Sequence, residues 1–184
     1  MSKVSVLNRY LSDDVIEKIL SVAEQNPYVP GLIVDSNEIH KNNFSEKRIC
    51  ELANLDVPAN AWLGNMLMHI ANSVNVAYGF DLIFPREASV TKYEEGGHYV
   101  WHHDIDWRWH PCQRKLSISI QLTNPDEYEG GNLEFKDISS ENAEMMRQKG
   151  TVIVFPSYLI HRVTPVTKGE RKALVSWIEG PSWR

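Results

Sequence analysis

The chain has 184 residues, 42% of them hydrophobic and 23% charged, which supports a packed core and excludes a disordered chain. Its formal net charge is −5 and no run of Lys or Arg exceeds two, so a nucleic acid held by phosphate neutralisation is disfavoured as a partner. Two cysteines, Cys50 and Cys112, match neither a zinc motif nor a disulfide framework, the opening MSKVSVLNRY lacks the apolar core of a signal peptide, and no apolar run is long enough to span a bilayer. A cytoplasmic protein without a membrane partner is the expectation.

The first strong element is SDDVIEKILSVAEQ. Ser12 is placed to cap it, Asp13 and Asp14 suit the first turn, and Val15, Ile16, Ile19, Leu20 and Ala23 recur at helical spacing. Pro27 and Pro30 end it. Residues 31–57 carry no clear pattern and read as loops with short elements. Pro58 opens a second helix, with an apolar stripe through Trp62, Leu63, Met66, Leu67, Ile70, Val74 and Ala77 until Gly79 stops it. After Pro85 short β-type runs alternate with turn residues: ASVTKY, HYVW, KLSISIQL, NLEF, TVIVF and KALVSWI. LSISIQL alternates with period two, as a half-buried strand does. A short polar helix is expected around 139–148. Helices first and many short strands afterwards predict a mainly β fold with N-terminal supporting helices, a sandwich or jelly roll, in a single domain over 1–184.

The stretch YEEGGHYVWHHD carries the chemistry. On a strand, residues two apart share a face, so His102 and Asp104 point one way and His103 and Trp101 the other. His161, after the apolar run TVIVFP and a short turn, is the best third partner. Two histidines and a carboxylate leave three positions of an octahedral ion open and suit non-haem Fe(II), whereas zinc favours more nitrogen or sulfur. Alone, His-x-Asp plus a distant His is a weak signal, and Asp106 is a rival carboxylate. Ten residues after His161 stands Arg171, which can share the interior and grip a carboxylate in a bidentate fork. The plainer alternative is a surface arginine paired with Glu170 or Glu179. Trp101, Trp107 and Trp109 either pack a strand edge or form an aromatic lid over a substrate, and Arg108 offers a charge to an acidic substrate group.

Tyr93, Gly96, Tyr99, His102 and Asp104 fit the pattern Tyr-x-x-Gly-x-x-Tyr-x-x-His-x-Asp. Gly130-Gly131-Asn132-Leu133-Glu134-Phe135 fits a Gly-Gly-x-Leu-x-Phe segment. His161, Val163, Pro165, Gly169 and Arg171 follow in order after KGTVIVFP. Together, over roughly residues 88–178, these resemble the 2-oxoglutarate- and Fe(II)-dependent dioxygenases of the prolyl 4-hydroxylase-like superfamily. The resemblance implies a double-stranded β-helix (a jelly roll) over 85–184, with 1–84 as a helical support region. It implies Fe(II) on His102, Asp104 and His161, and 2-oxoglutarate on Arg171 with Tyr93 as second partner. It also implies O2 as cosubstrate and ascorbate as auxiliary reductant. The implied reaction hydroxylates an unactivated C–H bond, with a prolyl residue of a peptide or protein as the leading substrate and a small molecule as the other class. Collagen-type members have lysine where this chain has Arg171, which weakens transfer of the collagen substrate. Two alternatives stay open at this point: a cupin-like metal-dependent isomerase or lyase, and a non-catalytic binding domain on the same fold.

Overall fold

The structure, a computed structural model, describes residues 4–31, 47–105, 112–138 and 142–183. In chain order these form β1 (Ser5–Leu7), α1 (Asp13–Glu24), β2 (Val29–Pro30), β3 (Arg48–Ile49), β4 (Glu51–Asp56), α2 (Ala61–Asn75), β5 (Glu87–Tyr93), β6 (His98–His102), β7 (Cys112–Gln121), β8 (Tyr128–Gly130), β9 (Leu133–Phe135), α3 (Ala143–Arg147), β10 (Val152–Pro156), β11 (His161–Val163), β12 (Val166–Gly169) and β13 (Arg171–Pro181). A seven-stranded antiparallel sheet runs β1-β10-β7-β13-β5-β4-β2, a four-stranded sheet runs β3-β6-β11-β9, and β12 pairs with β8. No helix among the described residues is long and apolar enough to cross a membrane.

The two predicted helices form where the apolar stripes lie. Ser12 occupies the cap position of α1 without a side-chain cap bond, and Asp13 and Asp14 sit in the first turn. The second helix begins at Ala61 rather than Pro58, and Gly79, at φ +71°, returns its N–H to the Asn75 carbonyl at 2.7 Å. The first 84 residues are not only helical: β1 and β4 join the large sheet, next to β10 and β5. In β4 it is Ala53 and Leu55 that are buried, a period-two pair that the neighbouring Leu52 obscures in the sequence. The expected short helix is the five-residue α3, and residues 139–141 of that expectation lie outside the described part.

The alternation within the central strands builds two apolar layers. Ile16, Ile19, Leu63, Leu67 and Ile70 of the helices pack on Val90, Leu116, Ile118, Ile120, Val152, Val154, Leu174 and Ile178 of the large sheet. The other face of that sheet contributes Tyr93, Ile153 and Phe155 to a second cluster with Leu133 and Val163 from the small sheet. So β7 is not half-buried as LSISIQL suggests. From Lys115 to Gln121 it is buried on both faces, and its polar face of Ser117, Ser119 and Gln121 looks into the space between the sheets.

Candidate metal and cosubstrate site

The small sheet aligns the two histidines. His161 on β11 is the register partner of His102 at the end of β6, while Val163 pairs with Tyr99. Three steps on β6 therefore match two on β11. The extra residue is a bulge at Val100 and Trp101, both exposed, and bulges beside functional sites commonly re-aim a side chain. Here the bulge brings Tyr99 and His102 to the same side, with ring centroids 3.5 Å apart and planes 14° from parallel. The chain leaves the strand after His102, and Asp104 is fixed by its own N–H to the Ser157 carbonyl at 2.9 Å.

One atom each of His102, Asp104 and His161 lies within 4.8 Å of the other two. His102 Nε2 is 3.6 Å from Asp104 Oδ1, and His161 Nε2 is 3.6 Å from Asp104 Oδ2. These gaps exceed a hydrogen bond and are of the size that separates ligands around one ion. Each imidazole is also oriented from behind. His102 Nδ1 donates to the Val100 carbonyl at 2.8 Å, and His161 Nδ1 to the Leu159 carbonyl at 2.9 Å. A carbonyl accepts only, so Nδ1 carries the proton and each Nε2 lone pair faces the cluster, the tautomer a metal ligand requires. The Ser117 hydroxyl donates to Asp104 Oδ2 at 2.6 Å and meets Ser157 Oγ at 3.0 Å.

Burial alone would raise the Asp104 carboxyl, but the His161 and His102 imidazoles and the Ser117 hydroxyl outweigh it and hold the carboxyl far below the usual carboxylate range. Burial also holds the His161 imidazole below its ordinary value, against the pull of Asp104. Both directions favour the proton-free ligands that metal binding needs. They also set a pH dependence. A histidine whose pKa is lowered by folding binds its proton more tightly in the unfolded chain. The metal-free protein should therefore lose stability as pH falls below the unfolded histidine value of about 6.5. Denaturant titrations at high and low pH on either side of that value measure the slope, and His161→Asn should make it shallower; an unchanged slope in the variant would assign it elsewhere.

On the facing sheet β13 begins at Arg171, 2% exposed and in register with Tyr93. Its Nε donates to Gln121 Oε1 at 3.1 Å, and no carboxylate pairs with it among the described residues. Glu170 is taken by Lys172 at 3.0 Å and Glu179 by Arg86 at 3.7 Å, so the surface-pair alternative does not hold. Arg171 lines a cavity of about 630 Å³ with Gln121, Tyr128, Gly131, Leu133 and Phe135. The double glycine shapes this wall. At Gly131 (φ +59°) a Cβ would come within 3.0 Å of Arg171 Cδ, and at Gly130 (φ +71°) within 2.1 Å of the Pro165 carbonyl oxygen. Arg147 of α3 holds the turn by donating to the Gly130 carbonyl at 2.6 Å and the Tyr128 carbonyl at 3.0 Å. The Tyr93 ring lies 5.6 Å from the Arg171 guanidinium carbon. Burial, with Cys50 adding, pushes the Tyr93 hydroxyl well above its usual range, so it remains a donor.

The remaining predicted residues divide. Trp101 is exposed and lies under the Arg162 guanidinium at 4.6 Å, while Arg162 Nε and Nη2 each reach Glu134 Oε2 at 2.8 Å. Asp106, Trp107, Arg108 and Trp109 lie outside the described residues. His103 is exposed beside the cluster. Both cysteines are free. Sequence reasoning missed Ser117, Ser157, Gln121, Arg147 and Arg48. Arg48 caps the Tyr99 ring at 4.8 Å and donates to Cys50 Sγ at 3.1 Å. For Ser117 and Gln121 the signal was present: both stand on the polar side of LSISIQL.

A family model described as the 2OG-Fe(II) oxygenase superfamily matches residues 88–179, from the first buried residue of β5 into the end of β13. The chain belongs to the 2OG-Fe(II) oxygenase superfamily. It is a 2-oxoglutarate-dependent dioxygenase of the hydroxylase kind, and Fe(II) and 2-oxoglutarate are the cofactor and cosubstrate the family implies. A PKHD-type hydroxylase of Aliarcobacter butzleri is 30% identical over 180 residues, 92% of this chain and 75% of that protein. A viral collagen prolyl hydroxylase from Paramecium Bursaria Chlorella virus-1, in its 2OG complex, superposes with a TM-score of 0.70 at 20% identity over 97% of each chain. A Trichoplax adhaerens prolyl hydroxylase in complex with a hypoxia inducible factor peptide fragment superposes with a TM-score of 0.71 at 17% identity, over 96% of this chain and 83% of that one. The fold of this oxygenase is accordingly the double-stranded β-helix read from the sequence motifs.

Proposed function

We propose that this oxygenase hydroxylates a prolyl residue in a peptide or protein, with Fe(II) on His102, Asp104 and His161 and the distal carboxylate of 2-oxoglutarate on Arg171. One arrangement carries the reading: three converging ligand atoms on one side, and on the other a buried guanidinium with no carboxylate partner among the described residues. The donor set fits a ferrous ion with three open positions. When bound, the iron and 2-oxoglutarate supply the O2 chemistry that hydroxylates an unactivated C–H bond as the cosubstrate is decarboxylated to succinate.

The chain's own residues orient and exclude. The Val100 and Leu159 carbonyls fix the imidazoles and Ser117 fixes the carboxylate. The terminal nitrogens of Arg171 grip the cosubstrate carboxylate, and the Tyr93 hydroxyl donates as a second partner. Leu133, Phe135 and Phe155 give the site dry walls. Trp101, exposed on β6, serves as a substrate contact in this reading, with Trp107, Arg108 and Trp109 following it in the sequence. The prolyl substrate is supported by the fold shared with prolyl hydroxylases. A cupin-like isomerase or lyase would have no use for a buried Arg171, and nothing else favours it.

The test is 2-oxoglutarate turnover to succinate in air with Fe(II) and ascorbate, run against a panel of proline-containing peptides and free amino acids. Stimulated turnover with one oxygen atom added to a peptide proline is the expected result. Stimulation by a free amino acid and by no peptide would reject the prolyl-peptide substrate.

A further inference from the structure

The inner face of β7 carries Ser117, Ser119 and Gln121. Ser117 serves Asp104. Gln121 has only half of its bonding accounted for. It is 2% exposed, and its Oε1 accepts from Arg171 Nε at 3.1 Å. That bond fixes which way the amide lies, because Nε has only a proton to offer. The amide nitrogen of Gln121 then keeps two N–H donors without an acceptor among the described residues. Gln121 and Arg171 line the same cavity of about 630 Å³. Donors that line a cavity are available to an acceptor oxygen of a ligand that enters it. The same bond leaves the two terminal nitrogens of Arg171 as the guanidinium's free edge, the edge that grips a carboxylate in a fork.

We propose that Gln121 is a cosubstrate-binding residue: its carbonyl locks the Arg171 guanidinium in place, and its amide donates to the same carboxylate that Arg171 holds. The proposal rests on the reading of Arg171 as the distal-carboxylate site. A neutral amide suits this position for a definite reason. It adds a donor without adding charge, whereas a carboxylate side chain here would neutralise Arg171 and exclude the cosubstrate.

The experiment is calorimetric titration of the Fe(II)-loaded protein with 2-oxoglutarate in the absence of oxygen, with melting temperatures measured alongside. Gln121→Met keeps the side-chain length and removes both polar atoms. Its dissociation constant for 2-oxoglutarate should rise about 10- to 100-fold, the worth of a hydrogen bond to a charged group. The KM for 2-oxoglutarate should rise in step while kcat at saturation holds. Gln121→Glu supplies an internal partner for Arg171. It should abolish 2-oxoglutarate binding and raise the melting temperature of the metal-free protein, a combination that misfolding does not produce. A Gln121→Met or Gln121→Glu protein that binds 2-oxoglutarate as the parent does would reduce Gln121 to packing and overturn the proposal. Failure of the parent protein to bind 2-oxoglutarate would overturn the reading of Arg171 first, and is visible before any substitution is made.

Discussion

Replacing Asp104 by alanine is expected to abolish Fe(II) binding and 2-oxoglutarate turnover together. Asp104 is the only residue of the cluster that reaches both histidines, 3.6 Å from each through a different oxygen. Loss of a hydrogen bond behind a metal ligand commonly costs about 10- to 100-fold in affinity, and loss of the ligand itself should exceed that. The variant would also leave the Ser117 hydroxyl without its carboxylate acceptor and two imidazoles with ring centroids 4.2 Å apart. Equilibrium dialysis with Fe(II) under argon reads the binding directly. Retained binding would transfer the carboxylate role to Asp106 and break the proposed triad.

Arg171→Met should have two effects of opposite sign. Affinity for 2-oxoglutarate should fall by at least about 30-fold, since truncating one member of a buried charge pair costs roughly 2–5 kcal/mol. Stability of the protein free of cosubstrate should rise or hold, because a cation that is 2% exposed and has no carboxylate partner among the described residues gives way to an apolar side chain of similar reach. Calorimetric titration and thermal unfolding measure the two. Affinity and stability lost together would mean that Arg171 is a structural member of the core. Unchanged affinity would remove it from the cosubstrate site.

Much of this was legible because the site is built from short motifs at fixed places. His102, Asp104, His161 and Arg171 stand at strand ends and starts, where a turn signal and an apolar run mark position in one dimension. Alternation favoured His102 over His103, and His102 is the one that stands with Asp104 and His161, although the strand runs only as far as His102. It could not foresee the bulge, because an extra residue in one strand is defined by its partner, and β11 lies about sixty residues away in the sequence. The strands β1 and β4 were illegible for a similar reason. Each is short, and what makes it a strand is the neighbour it pairs with, β10 and β5 respectively. The polar face of β7 was visible and misassigned to solvent. Alternation reports that two faces differ, and the chemistry on the far side of the sheet decides whether the polar one meets water or a ligand.

The position of β7 has a consequence for which cosubstrates fit. One unbroken strand carries Ser117, behind the metal ligands, and Gln121, beside Arg171. Four residues of extended chain span about 13 Å. With the ion on Asp104 and the far carboxylate on Arg171 as proposed, this strand would set the interval between them in residues rather than through side-chain choice. A longer or shorter diacid could not be accommodated by sliding β7 one step, because that would turn its inner face outward. On that placement cosubstrate choice would rest on the backbone beneath the helices, and what is hydroxylated would be selected elsewhere.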